Sequence, residues 1–243
     1  MRHYTYCHQC AEEKLGTDII AIGEINSNLT SICECPNGHR FISGLMHELF
    51  DVLYLSALDS FSNGSYSESV MSFTASLERT YEFFIKVTLL KEGIKLEPID
   101  LYWNELKNQS ERQLGSFHSQ YLKAAGIPWK LDNKMVSFRN NVIHKGYIAI
   151  GEEVKKYAEY TTGLQMNILN ILKVGYEAEC KQLYFHQKEL DNLVTKDLQK
   201  NTNLSFVAIS HPSILKWNHA GVQNLTFEEA IHRYNDIYLK FKE

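Results

Sequence analysis

No stretch of the 243-residue sequence approaches the length of unbroken apolar residues that a membrane-spanning helix needs, and the opening residues, MRHYTYCHQC, lack an apolar signal-peptide core. Both absences point to a cytoplasmic protein with no membrane partner. A strong charge of one sign is missing too. A formal net charge of -4 excludes a protein that coats nucleic acid over its whole surface, so any such contact is expected to be local. No segment carries the dense lysine and arginine face of a DNA-reading helix. G-x-S-x-G, a phosphate loop, a dinucleotide fingerprint and H-E-x-x-H are all absent, which leaves hydrolase, kinase and dehydrogenase readings without a foothold. No self-similar period marks a solenoid. With 44% hydrophobic and 22% charged residues, the chain has the composition of an ordered protein, and its length suits one substantial core with a small module or two modest domains.

Cysteine is scarce and unevenly placed: of five, four fall between Cys7 and Cys35. In a reducing compartment such crowding indicates a metal rather than disulfides. Cys7 and Cys10 offer two thiolates from one tight turn, and CECPNGH supplies Cys33, Cys35 and His39 about two dozen residues later. A tetrahedral zinc site needs four nitrogen or sulfur ligands, which two short knuckles brought together by a β-hairpin can deliver. Pro36, Asn37 and Gly38 form a turn able to fold Cys35 and His39 onto one point. The expected set is therefore Cys7, Cys10, Cys35 and His39. Cys33 is the alternative ligand, expected on the opposite face of an extended approach and so packed or spare. A closed set of four leaves no open position, so a structural Zn2+ is expected.

The pattern changes near residue 44. Before it lie strand-like alternation in DIIAIGEI and turn glycines; after it the periodicity is mostly helical. The expected fold is mainly α, with a zinc ribbon-like module over 1–43, a helical domain over 44–188 and a C-terminal extension over 189–243. A first helix is expected from about Gly44 to Ser60. A second opens with Ser65 and Glu68 as a capping box, buries Val70, Phe73, Leu77, Tyr81 and Phe84, and stops at Gly93. A third is expected to break near Gly115, a fourth to end at Gly146. A fifth carries Val154, Ala158, Thr161, Ile168 and Leu172 and runs toward His186. Beyond it, LSFVAIS suits a short strand or an extended arm, His211-Pro212 marks a break, and Thr226 with Glu229 caps a final helix ending in IYLKFKE.

The fourth helix holds the string FRNNVIHKGY, with no acidic residue between Asn133 and Gly151. On a helix Asn140 and His144 share a face, and Arg139, about a quarter turn away, reaches toward them. His144 sits in the last turn, where the helix dipole favours its protonated form. A neutral-range imidazole transfers protons, a guanidinium grips phosphate oxygens through paired hydrogen bonds, and Lys145 adds positive charge. Arg2–His8, Arg40–His47 and Arg112–His118 share the Arg-to-His spacing, so context singles out Arg139–His144: the polar Asn140, and the apolar Met135, Val136, Val142 and Ile143 that anchor the helix. The remaining histidines are scattered.

Arg139-Asn140-x-x-x-His144 resembles the R-x(4-6)-H signature of the HEPN superfamily, and NGSYSESVMSFTASLERTYEFFIK is similar to the second helix of one bacterial branch. CPNGH ahead of these helices also resembles bacterial proteins with a zinc knuckle before such a domain. The resemblance covers about Cys7 to Tyr176. It implies a HEPN-like bundle of four or five helices and a metal-independent endoribonuclease acting on RNA as a toxin or an antiviral or stress effector. Catalysis would fall to Arg139, Asn140 and His144, in a homodimer whose two copies form one composite cleft, with an antitoxin or defence-system partner. Glu78 occupies the helix where some relatives place an acidic residue facing the motif. Tyr147 stands three residues past His144 rather than two, so that branch's tyrosine role is not carried over. The alternative is a non-catalytic HEPN adaptor that binds a nucleotide, nucleic acid or protein.

Overall fold

The computed structural model describes residues 2–209, 213–215 and 224–238, in two compact units. His211, Pro212 and His219, with the final LKFKE, lie outside the described residues. The first unit comprises 1–48, 185–213 and 235–243; the second comprises 49–184 and 214–234.

In the first unit, β1 (Arg2–Tyr6), β2 (Ile20–Glu24), β3 (Thr30–Glu34) and β4 (Arg40–Leu45) form an antiparallel meander. A short helix, α1 (His8–Glu12), interrupts the β1–β2 connection. β5 (Phe206–Ile209) then joins β4 in parallel, Ile42 opposite Phe206 and Leu45 opposite Ile209. The alternation read in DIIAIGEI is β2, and LSFVAIS supplies β5. Cys7, Cys10, Ala21, Cys33, Cys35 and Phe41 form the core, with Ile19 and Val207 against it. Gly23 permits close pairing, because a Cβ there would lie 2.7 Å from the carbonyl oxygen of Ile32.

The second unit is helical and centred on α3 (Tyr66–Lys91), which packs against α2 (Leu49–Ser62), α4 (Leu96–Leu106), α5 (Ser110–Ala125), α6 (Asn133–Lys145) and α7 (Gly151–Gly175). The protein is mainly helical, as the periodicity indicates. Val70, Phe73, Leu77, Tyr81 and Phe84 of α3 are all buried, as are Val154, Ala158, Thr161, Ile168 and Leu172 of α7. Several polar groups inside this core are paired: Gln165 Nε2 donates to Ser76 Oγ at 2.8 Å and Thr80 Oγ1 at 3.0 Å, and Tyr54 meets Thr162 at 2.7 Å, whereas Gln165 Oε1 is buried without a partner. Each bond spares a buried donor its desolvation cost.

Several boundaries differ from expectation. Gly44 belongs to β4, and the first long helix begins at Leu49. The break in the third segment falls at residues 107–109, not at Gly115, which lies inside α5. Gln113 explains the position: its Nε2 reaches back to the carbonyls of Leu106 and Lys107 at 3.3 and 2.8 Å, satisfying the end of α4. The fifth segment stops at Gly175, and α8 (Glu177–Thr202) follows.

The expected appended tail is instead divided between the units. β5 completes the first sheet. In the second unit, buried Asp51 accepts the backbone N–H groups of Ile214 and Leu215 at 3.1 and 2.7 Å. Phe227, at the start of α9 (Phe227–Tyr238), meets the rings of Phe61 and Phe73 at 5.1 and 6.0 Å.

Candidate functional site

The first unit brings Cys7, Cys10, Cys35 and His39 together, their ligand atoms all within 4.8 Å of one another. Cys7 closes β1 and Cys10 lies one helical turn on in α1, so both sulfurs leave the same side of the chain. The β3–β4 hairpin brings the other pair: Cys35 N–H donates to the His39 carbonyl at 3.1 Å, Gly38 N–H to that of Cys35 at 2.9 Å, and Gly38 takes φ 83°. Cys10 Sγ lies 3.6 Å from Cys35 Sγ and 3.2 Å from His39 Nδ1. Sulfurs bound to zinc at 2.3 Å stand about 3.8 Å apart in a tetrahedron, so the cluster has the dimensions and the soft donor set of a metal site.

Local electrostatics separate the thiols. Burial drives the Cys7 thiol up to about 11, opposed by a backbone bond from Cys10. At Cys35 burial also raises the value, but backbone N–H groups at His39 and Asn37 and the neighbouring Cys10 and Cys7 thiols outweigh it and bring it to about 7. Asn37 Nδ2 donates to Cys10 Sγ at 3.3 Å.

Cys33 is not in the cluster. The expectation that it faces away from Cys35 needs correcting, because strand positions two apart share a face. Its sulfur instead meets Ser31 Oγ at 3.1 Å, and burial raises its pKa against the pull of the Ser31 and Ser43 hydroxyls.

In the second unit, Arg139, Asn140, His144, Lys145 and Glu78 line one cavity of about 540 Å³. α6 presents the first four. It starts at Asp132, whose carboxylate accepts Lys134 N–H at 2.7 Å, and ends at Gly146 with φ 68°. Past that glycine, Tyr147 donates to Glu153 at 2.8 Å, and the same carboxylate accepts Ile150 N–H at 3.2 Å, fixing the entry to α7.

Arg139 donates to Glu78 Oε1 at 2.9 Å and to Asn140 Oδ1 at 3.0 Å. Glu78 and Arg139 are both half-buried, and Glu78 faces this cavity rather than forming a surface pair with Arg79, which binds Glu82 at 2.7 Å. His144 and Lys145 are exposed at the rim. Of the four Arg-x(4-6)-His pairs, only Arg139–His144 lines this cavity.

Sequence reasoning missed the cavity's aromatic wall: Tyr81, Tyr157 and Tyr160. Tyr157 lies three residues past the stripe position Val154, which is the signal that places it on the packed side of α7. Thr74 donates to the Val70 carbonyl at 2.8 Å, so its one proton is committed and Tyr157 must donate to it, also at 2.8 Å. Burial pushes the Tyr157 hydroxyl up to about 12, with the Thr74 bond and the Arg139 charge working against it. The hydroxyl of Tyr160 accepts Asp132 N–H at 2.9 Å, tying α7 to the start of α6.

The arrangement offers a cationic rim, a carboxylate–guanidinium pair and an apolar floor, which suits an anion carrying a flat or apolar group. Comparison of the chain with family models, curated proteins and solved structures finds no match.

Proposed function

We propose that the protein is a metal-independent endoribonuclease of HEPN type, a toxin or an antiviral or stress effector, with a structural Zn2+ in its N-terminal unit. The observation that carries this reading is the gathering of Arg139, Asn140 and His144 on one open cavity, with Glu78 on the guanidinium. In the reaction, the ribose 2′-oxygen loses its proton to an imidazole and attacks phosphorus. The bond from phosphorus to the 5′-oxygen breaks, that oxygen takes a proton, and the products are a 2′,3′-cyclic phosphate and a 5′-hydroxyl. Arg139, released from Glu78, grips the phosphorane oxygens as their charge grows. Asn140 orients the phosphate or the imidazole, and Lys145 attracts the RNA backbone.

One histidine per chain serves poorly as both acid and base, so the working form is a homodimer in which two His144 side chains share one phosphodiester. Zinc in the Cys7–Cys10–Cys35–His39 cluster braces the N-terminal fold, since four protein ligands leave no position for substrate. An antitoxin or defence-system partner would restrain the activity in a cytoplasmic setting.

The tyrosine-walled floor of the cavity favours a second reading, a HEPN adaptor that holds a nucleotide, nucleic acid or protein segment without cutting. Total RNA incubated with the protein in excess EDTA separates the two. Cleavage that survives chelation and disappears in His144→Ala supports the nuclease; intact RNA throughout supports the adaptor. A strictly monomeric mass in solution would remove the composite cleft.

A further inference from the structure

We infer that Glu13 is a positioning residue for the metal, holding His39 in the one tautomer that ligates; this rests on reading the cysteine–histidine cluster as a metal centre. The imidazole of His39 lies between two different sets of atoms. Its Nδ1 faces Cys10 Sγ at 3.2 Å and Cys7 Sγ at 3.6 Å, while its Nε2 lies 3.1 Å from Glu13 Oε2. A neutral imidazole carries one proton and one free lone pair. A carboxylate at Nε2 keeps the proton there and leaves the Nδ1 lone pair aimed at the three sulfurs. That is the orientation a soft divalent cation requires, and an outer carboxylate also makes the imidazole a stronger donor.

The backbone makes Glu13 part of the knuckle rather than a passing surface group. Cys7, Cys10 and Glu13 recur every three residues along α1 and its cap, so the helix that presents two ligands also presents the carboxylate. Glu13 N–H donates to the Gln9 carbonyl at 2.9 Å, and Leu15 N–H to that of Cys10 at 2.8 Å, which closes the turn behind it. One short segment thus sets two thiolates and, through the carboxylate, the ring of a histidine on another hairpin. Asn37, donating to Cys10 Sγ, is the matching contact from the other knuckle.

The test is the affinity of the full chain for Zn2+, measured by competition with a chromophoric chelator, with Co2+ spectra reporting the ligand set. Glu13→Ala is expected to weaken binding by about 10–100-fold while the bands of a three-thiolate, one-nitrogen site persist in saturated protein. Glu13→Gln, which keeps an acceptor for Nε2–H but no charge, is expected to lose less. Glu12→Gln, a change at the neighbouring exposed carboxylate, is expected to match the wild type. Wild-type affinity in both Glu13 variants overturns the positioning role and leaves the metal site standing. Failure of the unaltered protein to bind either ion overturns both. Should Glu13→Ala fail to fold, Glu13→Gln decides alone: an undiminished affinity there counts against the role.

Discussion

In the cysteine–histidine cluster the candidate sulfur ligands are themselves part of the core, whereas in the helical unit the candidate site residues stand above a core that is complete without them. Cys7, Cys10 and Cys35 are buried and belong to the packed centre of the small sheet, among few large apolar side chains. Arg139 and Asn140 are half-buried and His144 is exposed, while Phe73, Phe84, Ile85 and Ile168 fill the interior beneath. A five-stranded sheet of short strands buries too little to be rigid alone, so its geometry and its ligand set depend on each other. The helical unit can change its chemistry without changing its fold.

Metal removal tests that contrast most severely. Structural zinc in small domains supplies on the order of 10 kcal/mol of folding free energy. On the proposed zinc reading, treatment with a strong chelator, or Cys10→Ala, is expected to abolish amide-exchange protection in β1 to β4 while α3 and α7 keep theirs. Equal loss in both regions would erase the distinction.

The opposite behaviour is expected of the cavity. On the proposed nuclease reading, His144→Ala should lower RNA cleavage by about 10²–10⁴-fold, the usual share of a proton-transferring side chain, while leaving stability within about 0.5 kcal/mol because the residue is exposed at a helix end. Arg139→Lys should not preserve cleavage, since an ammonium lacks the guanidinium's two-pronged grip on phosphate and cannot reach Glu78 and Asn140 through two separate nitrogens, as Arg139 does. A large fall in melting temperature for His144→Ala would show that the site is part of the core after all.

Gly23→Ala sharpens the comparison on the sheet side. The added methyl meets the Ile32 carbonyl oxygen at 2.7 Å, a backbone atom that cannot rotate away, so β2 and β3 must separate at a cost of about 1–3 kcal/mol. Because β3 leads directly to Cys35, Zn2+ affinity should fall along with stability. Stability lost with affinity unchanged would uncouple strand spacing from the knuckle.

What the sequence made legible follows from how local each feature is. The candidate ligands stand in two short runs, Cys7 to Cys10 and Cys35 to His39, so their spacing carries the geometry. The buried stripes of α3 and α7 are likewise written within single helices. Pairing of Ile42 with Phe206 joins strands far apart in the chain, and no local pattern announces it, which is why the sequence alone suggests a separate C-terminal extension. Gly44 read as a helix start because the apolar run beyond it is helical, yet it serves the sheet. Gly115 read as a breaker but lies inside α5 with open space around it, while the actual break depends on a glutamine reaching back to carbonyls. Glu13 carried a faint signal, three residues past Cys10, that only the position of His39 gives meaning.

The smallest predicted effect comes from two helix starts with the same sequence signature in the helical unit. Thr226 and Glu229 form the reciprocal cap: Glu229 N–H donates to Thr226 Oγ1 at 3.2 Å, and Glu229 Oε2 accepts Thr226 N–H at 2.9 Å. Ser65 and Glu68 do not, because Ser65 N–H already donates to the Ser60 carbonyl at 2.8 Å and its hydroxyl makes no cap bond. With that donor taken, Glu68 has nothing to reach back for. Thr226→Ala is therefore expected to cost about 1 kcal/mol in urea unfolding and Ser65→Ala only a few tenths. Equal losses would mean that the α3 cap forms in solution and that the Ser60 bond yields to it.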